Sequence, residues 1–300
     1  VSTAARPTPR RAILVVACTI AACTIVALAG WAGVAARAEA ATGPYVALGD
    51  SYTAGPLVPT PTGSPILCGR STNDYPADVA RAISPSRFVN ASCSGATTVD
   101  MTQSQSLDGG IQTAPPQFDA LSANDAIVTL GIGGNDAGLI SVAEECTALD
   151  ILWPFGDRCK SHYQSGATDT EVAAVDATGP KVTQVIGQIH ALAPHAKVLV
   201  VGYPDGLPQN GSNCYPDVPF SSADVTWFNS IEIDLNGVLK QAAQANGATY
   251  VDTFSSSIGH DACQGSNAWV NGLLPTSAAY PLHPNQTGEA NMAKQVEGAL

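Results

Sequence analysis

The chain has 300 residues, 45% of them apolar, enough for one sizeable hydrophobic core, and it carries no internal repeat, heptad run or low-complexity block, which excludes fibrous, coiled-coil and disordered readings. Thirteen basic residues against 25 acidic ones give a formal charge of −12. Such a surface repels nucleic acid and anionic membranes, and solubility outside a cell is the simplest role for it.

Arg6, Arg10 and Arg11 precede an uncharged apolar run from Ala12 to Ala36, and Ala36, Ala38 and Ala40 offer small-residue cleavage sites. Residues 1–40 are therefore expected to be a secretory signal peptide, followed by one domain over 41–300. The run, about 25 residues, is also long enough to span a bilayer as an uncleaved anchor, the one route by which this chain is expected to meet a membrane. Past residue 40 the charge is nine basic against 24 acidic residues, or −15. Six of the eight cysteines remain there, an even number in a chain addressed to an oxidising compartment. Their order suggests pairing between neighbours: Cys68 with Cys93, Cys146 with Cys159, Cys214 with Cys263. No Cys-x-x-Cys or His-x-x-x-His spacing occurs, so no metal is expected.

Tyr45-Val46-Ala47-Leu48 reads as a short buried strand that stops at Gly49-Asp50-Ser51 and delivers a serine to the turn beyond its carboxyl end. After a Pro, Thr and Gly-rich loop, Asp74 is placed to cap a short helix over 75–83 with Pro76 in its first turn, and Arg87 to Ala91 fits a second strand. The clearest strand is Ala126 to Ile132, a near-continuous apolar run ending in Gly133-Gly134-Asn135-Asp136. Residues 141–165 read as loop or short helix. Val172, Val175, Val182, Val185, Ile186, Ile189 and Leu192 recur at helical spacing, with Gly179-Pro180 expected to bend or split the helix. Lys197 to Val201 supplies a fourth strand. Ser222 or Asp224 caps a helix striped by Val225, Phe228, Ile231, Leu235 and Leu239, and Ala248 to Val251 makes a fifth strand. The last helix is expected from about Pro284 to Ala299. Strands alternating with helices predict an α/β fold of three layers, a parallel sheet between helices.

That arrangement brings the turns after several strands and the loop before the last helix to one rim, and with them Ser51, Gly95, Asn135 and His283. A serine needs a neutral imidazole in reach to become a nucleophile. Among the five histidines, His283 is the one on a loop at the start of a helix, where a scaffold presents a base. An acyl-transfer oxyanion would need preorganised donors, which the backbone N–H groups of Ser51 and Gly95 and the side-chain amide of Asn135 can supply.

Gly49-Asp50-Ser51, the Gly95 turn, Gly133-Gly134-Asn135-Asp136 and His283-Pro284-Asn285 together resemble the four sequence blocks of the SGNH, or GDSL, hydrolases, in order and spacing, from Tyr45 to the C-terminus. With the leader, the cysteine pairs and Gly-His-Asp-Ala-Cys at 259–263, the resemblance is greatest to the secreted actinobacterial lipases and esterases. It implies a flavodoxin-like α/β/α fold on a five-stranded parallel sheet, Ser51 as nucleophile, His283 as base, and Ser51, Gly95 and Asn135 as oxyanion hole. It also implies an ester or lipid substrate, with no cofactor and no nucleic-acid partner. One departure stands out. Where most of the family has an aspartate three residues before the histidine, this chain has Tyr280, and the Tyr280 main-chain carbonyl or a near neighbour's is expected to orient the imidazole. Tyr52 replaces the leucine of the family's short name and is expected to matter little to the chemistry.

The sequence thus predicts a secreted, monomeric serine esterase or lipase. A carbohydrate acetylesterase or phospholipase on the same residues, and a non-catalytic cell-surface binding protein, remain as alternatives. Leu57, Ile66, Leu139 and Trp269 are the expected lining if the cleft takes acyl chains, and at an ordinary imidazole pKa activity should fall below roughly pH 6 to 7.

Overall fold

The computed structural model describes residues 43–300; the expected signal peptide over 1–40 lies outside the described residues. Five parallel strands form the central sheet: β1 (Tyr45–Gly49), β2 (Phe88–Asn90), β3 (Ile127–Gly131), β4 (Lys197–Val201) and β5 (Thr249–Val251). Their order is β2-β1-β3-β4-β5. β1 and β3 run in register from Tyr45 opposite Ile127 to Gly49 opposite Gly131, and both are wholly buried, which is why they read as unbroken apolar runs.

Alternate residues of these strands serve two cores. Val46, Leu48, Val128, Leu130, Val198 and Val200 face α2 (Leu139–Asp150), α3 (Thr170–Leu192) and α4 (Ser222–Ala245). Tyr45, Ala47, Ile127, Leu199 and Val201 face α1 (Tyr75–Ile83) and α5 (Gln286–Ala299). The chain is therefore a three-layer α/β/α sandwich. β1 and β3 are neighbours whose following connections leave to opposite faces, so a crevice opens at their carboxyl ends.

Of the bend or split that the sequence predicts at Gly179-Pro180, the split does not occur: α3 continues there as one helix. Val175, Val182, Val185, Ile186 and Ile189 are all buried in the larger core. Burying one such side chain contributes about 1.5–3 kcal/mol, and several of them outweigh the roughly 3 kcal/mol that an interior proline costs. α2, a 12-residue helix over Leu139–Asp150, begins before the stretch 141–165 that reads as loop or short helix and extends into it.

The disulfides join Cys68 to Cys93, Cys146 to Cys159 and Cys214 to Cys263. Among the described residues no helix is long and apolar enough to cross a membrane.

Two buried carboxyls fix the smaller core. Asp74 caps α1 by accepting from Ala77 N–H at 2.8 Å, and Glu289 of α5 accepts from Tyr75 N–H at 2.8 Å. Burial pushes Asp74 up to about 7 and Glu289 well above the usual carboxylate range, the latter also through Asp74. The folded chain thus holds protons that the unfolded chain releases, and this stabilisation, complete below the ordinary carboxyl range, is lost as pH rises through about 7. Relief of the acidic surface charge on acidification acts in the same direction. The urea midpoint is expected to be higher at about pH 5.5 than at about pH 8; a midpoint that rises with pH over this interval would show the two carboxyls ionised in the fold.

Candidate active site

β1 ends where Gly49 passes so close to β3 that a Cβ would run into Thr53 Oγ1 and the Gly131 carbonyl, hence the glycine. The sheet's hydrogen bonding continues one step further, Asp50 N–H donating to the Gly131 carbonyl at 2.9 Å. The Gln117 side-chain amide brackets Gly49, accepting from its N–H and donating to its carbonyl, each at 2.8 Å. It stands in for a neighbouring strand just past the end of β2. Asp50 then caps a helical turn over Ser51–Ala54 by accepting from Tyr52 N–H at 2.9 Å, and Ser51 opens that turn at the crevice.

Ser51 Oγ lies 2.7 Å from His283 Nε2. His283 Nδ1 lies 2.8 Å from the carbonyl of Pro281. A carbonyl only accepts, so Nδ1 carries the proton and Nε2 presents its lone pair to the serine hydroxyl. The orienting carbonyl is therefore that of Pro281 and not that of Tyr280, which instead accepts from the His283 backbone N–H at 3.2 Å. The backbone explains the difference: Leu282 adopts a left-handed conformation, φ 61°, which curls the chain so that the imidazole reaches the carbonyl two residues back. Tyr280 places its ring edge-on to His283, with centroids 5.3 Å apart.

Gly95 and Asn135 come together from two turns. Asn135 Nδ2 donates to the Ala96 carbonyl at 2.9 Å, leaving its second amide hydrogen for the crevice. Asp136 accepts from the Thr98 N–H at 2.8 Å and hydroxyl at 2.6 Å, locking the Gly95 turn against the end of β3. Gly95 is left-handed, φ 79°, and this, more than crowding, requires glycine, since a Cβ there would meet only Gln105 Nε2 at 3.6 Å.

Three further side chains belong to the site although sequence reasoning did not select them. Tyr203 donates to the Asp50 carboxylate and accepts from Gly134 N–H, joining the ends of β1, β3 and β4. Its place at the carboxyl end of β4, on the same rim as Ser51, is the signal that points to it. Gln117 is the second. Tyr52 is the third: its hydroxyl donates to the Leu282 carbonyl at 2.6 Å, its ring lies 4.8 Å from the imidazole and 5.0 Å from Tyr203, edge to face. The leucine-to-tyrosine departure therefore places a ring and a hydrogen bond against the His283 loop, a contact the sequence does not reveal.

His283 is only 3% exposed. Burial drives its pKa down from the ordinary 6.5 to about 4, with the Pro281 hydrogen bond opposing only in part, so the ring is neutral throughout the neutral range. Burial likewise raises Asp50 to about 7, against the Tyr203 hydrogen bond. Two other histidines are engaged elsewhere: His190 Nε2 is 3.0 Å from the Asn246 carbonyl, and His260 stacks on Trp269 with centroids 3.7 Å apart.

A narrow crevice runs past Asp50, Ser51, Asn135 and Tyr203. Tyr52, Leu139, Ile140 and Glu232 are shared with an adjoining pocket walled by Ala143, Leu207, Phe220, Phe228 and Val270. Of the predicted acyl lining only Leu139 belongs to it. Leu57 and Ile66 are exposed, and Trp269 is occupied by His260.

A serine on a strand end in hydrogen-bond contact with a buried, neutral histidine, at the switch point of a 2-1-3-4-5 sheet, is the arrangement of an α/β/α hydrolase. Residues 47–290 match the model of the GDSL-like Lipase/Acylhydrolase family. The chain belongs to that family and is an ester hydrolase. It is 36% identical over 260 residues to Lipase 2 of Streptomyces coelicolor, covering 85% of each chain. Among solved structures it is similar to phospholipase A1 of Streptomyces albidoflavus, with TM-score 0.72, 28% identity, and coverage of 87% of this chain and 100% of that one. The extracellular lipase of Streptomyces rimosus gives TM-score 0.69 and 27% identity, with coverage of 86% and 100%.

Two measurements follow from the site. With His283 pKa near 4, kcat/KM on a dissolved ester is expected to hold from neutrality to about pH 5 and to fall only around pH 4; a half-maximal rate at pH 6 to 7 would mean that water reaches the ring. Tyr52→Phe keeps the ring against His283 and removes one hydrogen bond, so kcat should drop about three- to tenfold with KM and the acid limb unchanged, whereas Tyr52→Ala should also move the acid limb up toward 6.5. Unchanged kcat in the phenylalanine variant would release Tyr52 from this role.

Proposed function

We propose that the protein is a secreted serine hydrolase of acyl esters that works through Ser51 and His283. The observation that carries this reading is the 2.7 Å contact between Ser51 Oγ and the Nε2 lone pair of a buried, neutral His283. Ser51 Oγ attacks the ester carbonyl as His283 Nε2 takes its proton. The oxyanion is received by the N–H groups of Ser51 and Gly95 and by the Asn135 amide, each such donor being worth about 2.7–4 kcal/mol of barrier. His283 returns the proton to the leaving alcohol, and water then releases the acyl group from Ser51 by the same steps in reverse roles.

The imidazolium formed in each half-reaction faces the Pro281 carbonyl and no carboxylate. A carbonyl fixes the tautomer and the ring plane, the larger part of what the third residue of a triad contributes. The ring's low basicity has an opposing effect, since a weaker base pulls less on the serine proton. Prealignment at hydrogen-bond distance is what compensates.

The apolar wall of Leu139, Ala143, Leu207, Phe220 and Val270 beside the serine favours an acyl chain over a sugar ring, and phospholipids are esters of this kind. Secretion rests on the leader and on the three disulfides.

Hydrolysis of p-nitrophenyl esters from acetate to palmitate, by the mature chain and by Ser51→Ala side by side, tests the reading. Activity is expected to peak above acetate and to drop by about 10⁴ or more in the variant. Equal rates in both proteins would remove Ser51 from the chemistry, and a failure to label Ser51 with an organophosphonate would turn the reading to a binding protein.

A further inference from the structure

Past α2 the chain runs Ile151-Leu152-Trp153-Pro154-Phe155-Gly156, without a charge, and presents its large side chains outward. Leu152 is 90% exposed, Trp153 62% and Phe155 63%, with Tyr215 beside them at 53%. The segment is nonetheless held firmly at its base. Trp153 N–H donates to the Asp150 carbonyl at 2.9 Å, Ser221 N–H donates to the Asp150 carboxylate at 2.9 Å, and the Ser221 hydroxyl donates to the Gly156 carbonyl at 2.6 Å. Tyr215 donates to the Ile151 carbonyl. The Cys146–Cys159 disulfide closes the segment from both sides, and Trp153 and Phe155 pack edge to face.

Two elements link this surface to the substrate pocket. α2 lines the pocket with Leu139, Ile140 and Ala143 at its first turns and ends in the exposed loop. Phe220, a pocket wall, is the residue before the Ser221 that anchors the loop. Nothing in the fold needs five large apolar side chains in water, and a contiguous exposed patch of this kind marks an interaction site.

We propose that loop 151–155, with Tyr215, docks the protein onto a neutral, zwitterionic lipid surface and holds the pocket against it. Tryptophan, phenylalanine and leucine are the residues that seat in the headgroup–acyl boundary. The loop carries no basic residue, and the −15 charge of residues 41–300 repels anionic lipid, which selects for an uncharged surface. A second copy of the chain fits less well: the exposed parts of these side chains amount to roughly 600 Å², below the ~800 Å² per partner of a stable interface. The proposal rests on the acyl-ester reading for what the surface delivers, but its geometry is separate from Ser51.

Sedimentation with phosphatidylcholine vesicles tests it on the mature chain. Wild type and Ser51→Ala are both expected to partition onto the vesicles. L152S/W153S/F155S should lose at least about tenfold in partitioning while keeping its kcat/KM on a dissolved short-chain ester. Absence of wild-type binding, or equal binding by the triple variant, overturns the proposal, as does a dimer that the same substitutions dissociate. If melting curves show the triple variant unfolded, quenching by brominated phosphatidylcholine decides. Wild type should be quenched more than Trp153→Phe, and equal quenching refutes the docking. Retained ester hydrolysis in Ser51→Ala would instead strike the serine reading and leave the vesicle result standing.

Discussion

The buried carboxyl of Asp50 is the constraint on which the site depends. It accepts from the Tyr52 N–H and from the Tyr203 hydroxyl, which in turn accepts from the Gly134 N–H, so one side chain ties together the ends of three strands. Each of those ends bears part of the machinery. Ser51 follows Asp50, Asn135 follows Gly134, and Tyr203 leads into the loop over the apolar pocket. Asp50 is 1% exposed, so every hydrogen bond there counts for more than it would on a surface.

The histidine is arranged on a different principle. A carboxylate partner would raise the basicity of the ring and bring a second charge into a buried crevice that already contains Asp50 and Glu232. The Pro281 carbonyl orients the ring without that charge, and the left-handed Leu282, held by the Tyr52 hydroxyl, makes the curl that allows it. Basicity is exchanged for alignment. The residue beside the proposed nucleophile thereby helps to set the conformation of the loop that carries the base.

Much of this was legible in the chain. β1 and β3 declare themselves because both faces are buried, and the glycine-rich turns mark where they stop. The histidine loop is recognisable from His283-Pro284-Asn285, and the cap at Asp74 follows from local chemistry, whereas α4 is capped by Ser221, ahead of the expected Ser222 or Asp224. α2 was obscured because the residues of its buried face, Leu139, Val142, Ala143 and Cys146, include two small ones, while Ile140, Ala148 and Leu149 spread apolar character around the helix. Pro180 does not split α3, because the packing of α3 on α4 outweighs local propensity. The polar contacts of Gln117, Tyr203 and Tyr52 join residues 68, 153 and 230 positions apart, and hydrogen bonds over such distances leave no periodic trace. The choice between the Tyr280 and Pro281 carbonyls turns on a single backbone dihedral.

Ser51 lies at the end of the first strand and His283 just before the last helix, 232 positions apart. Only when β1 has taken its place beside β3 and α5 has docked on α1 through Glu289 and Tyr75 do the hydroxyl and the imidazole meet. During synthesis, then, almost the whole polypeptide must be made before the serine meets the imidazole proposed as its base. On that reading, competence for hydrolysis is among the last properties that the growing chain gains, however well the sheet of a shorter fragment has formed.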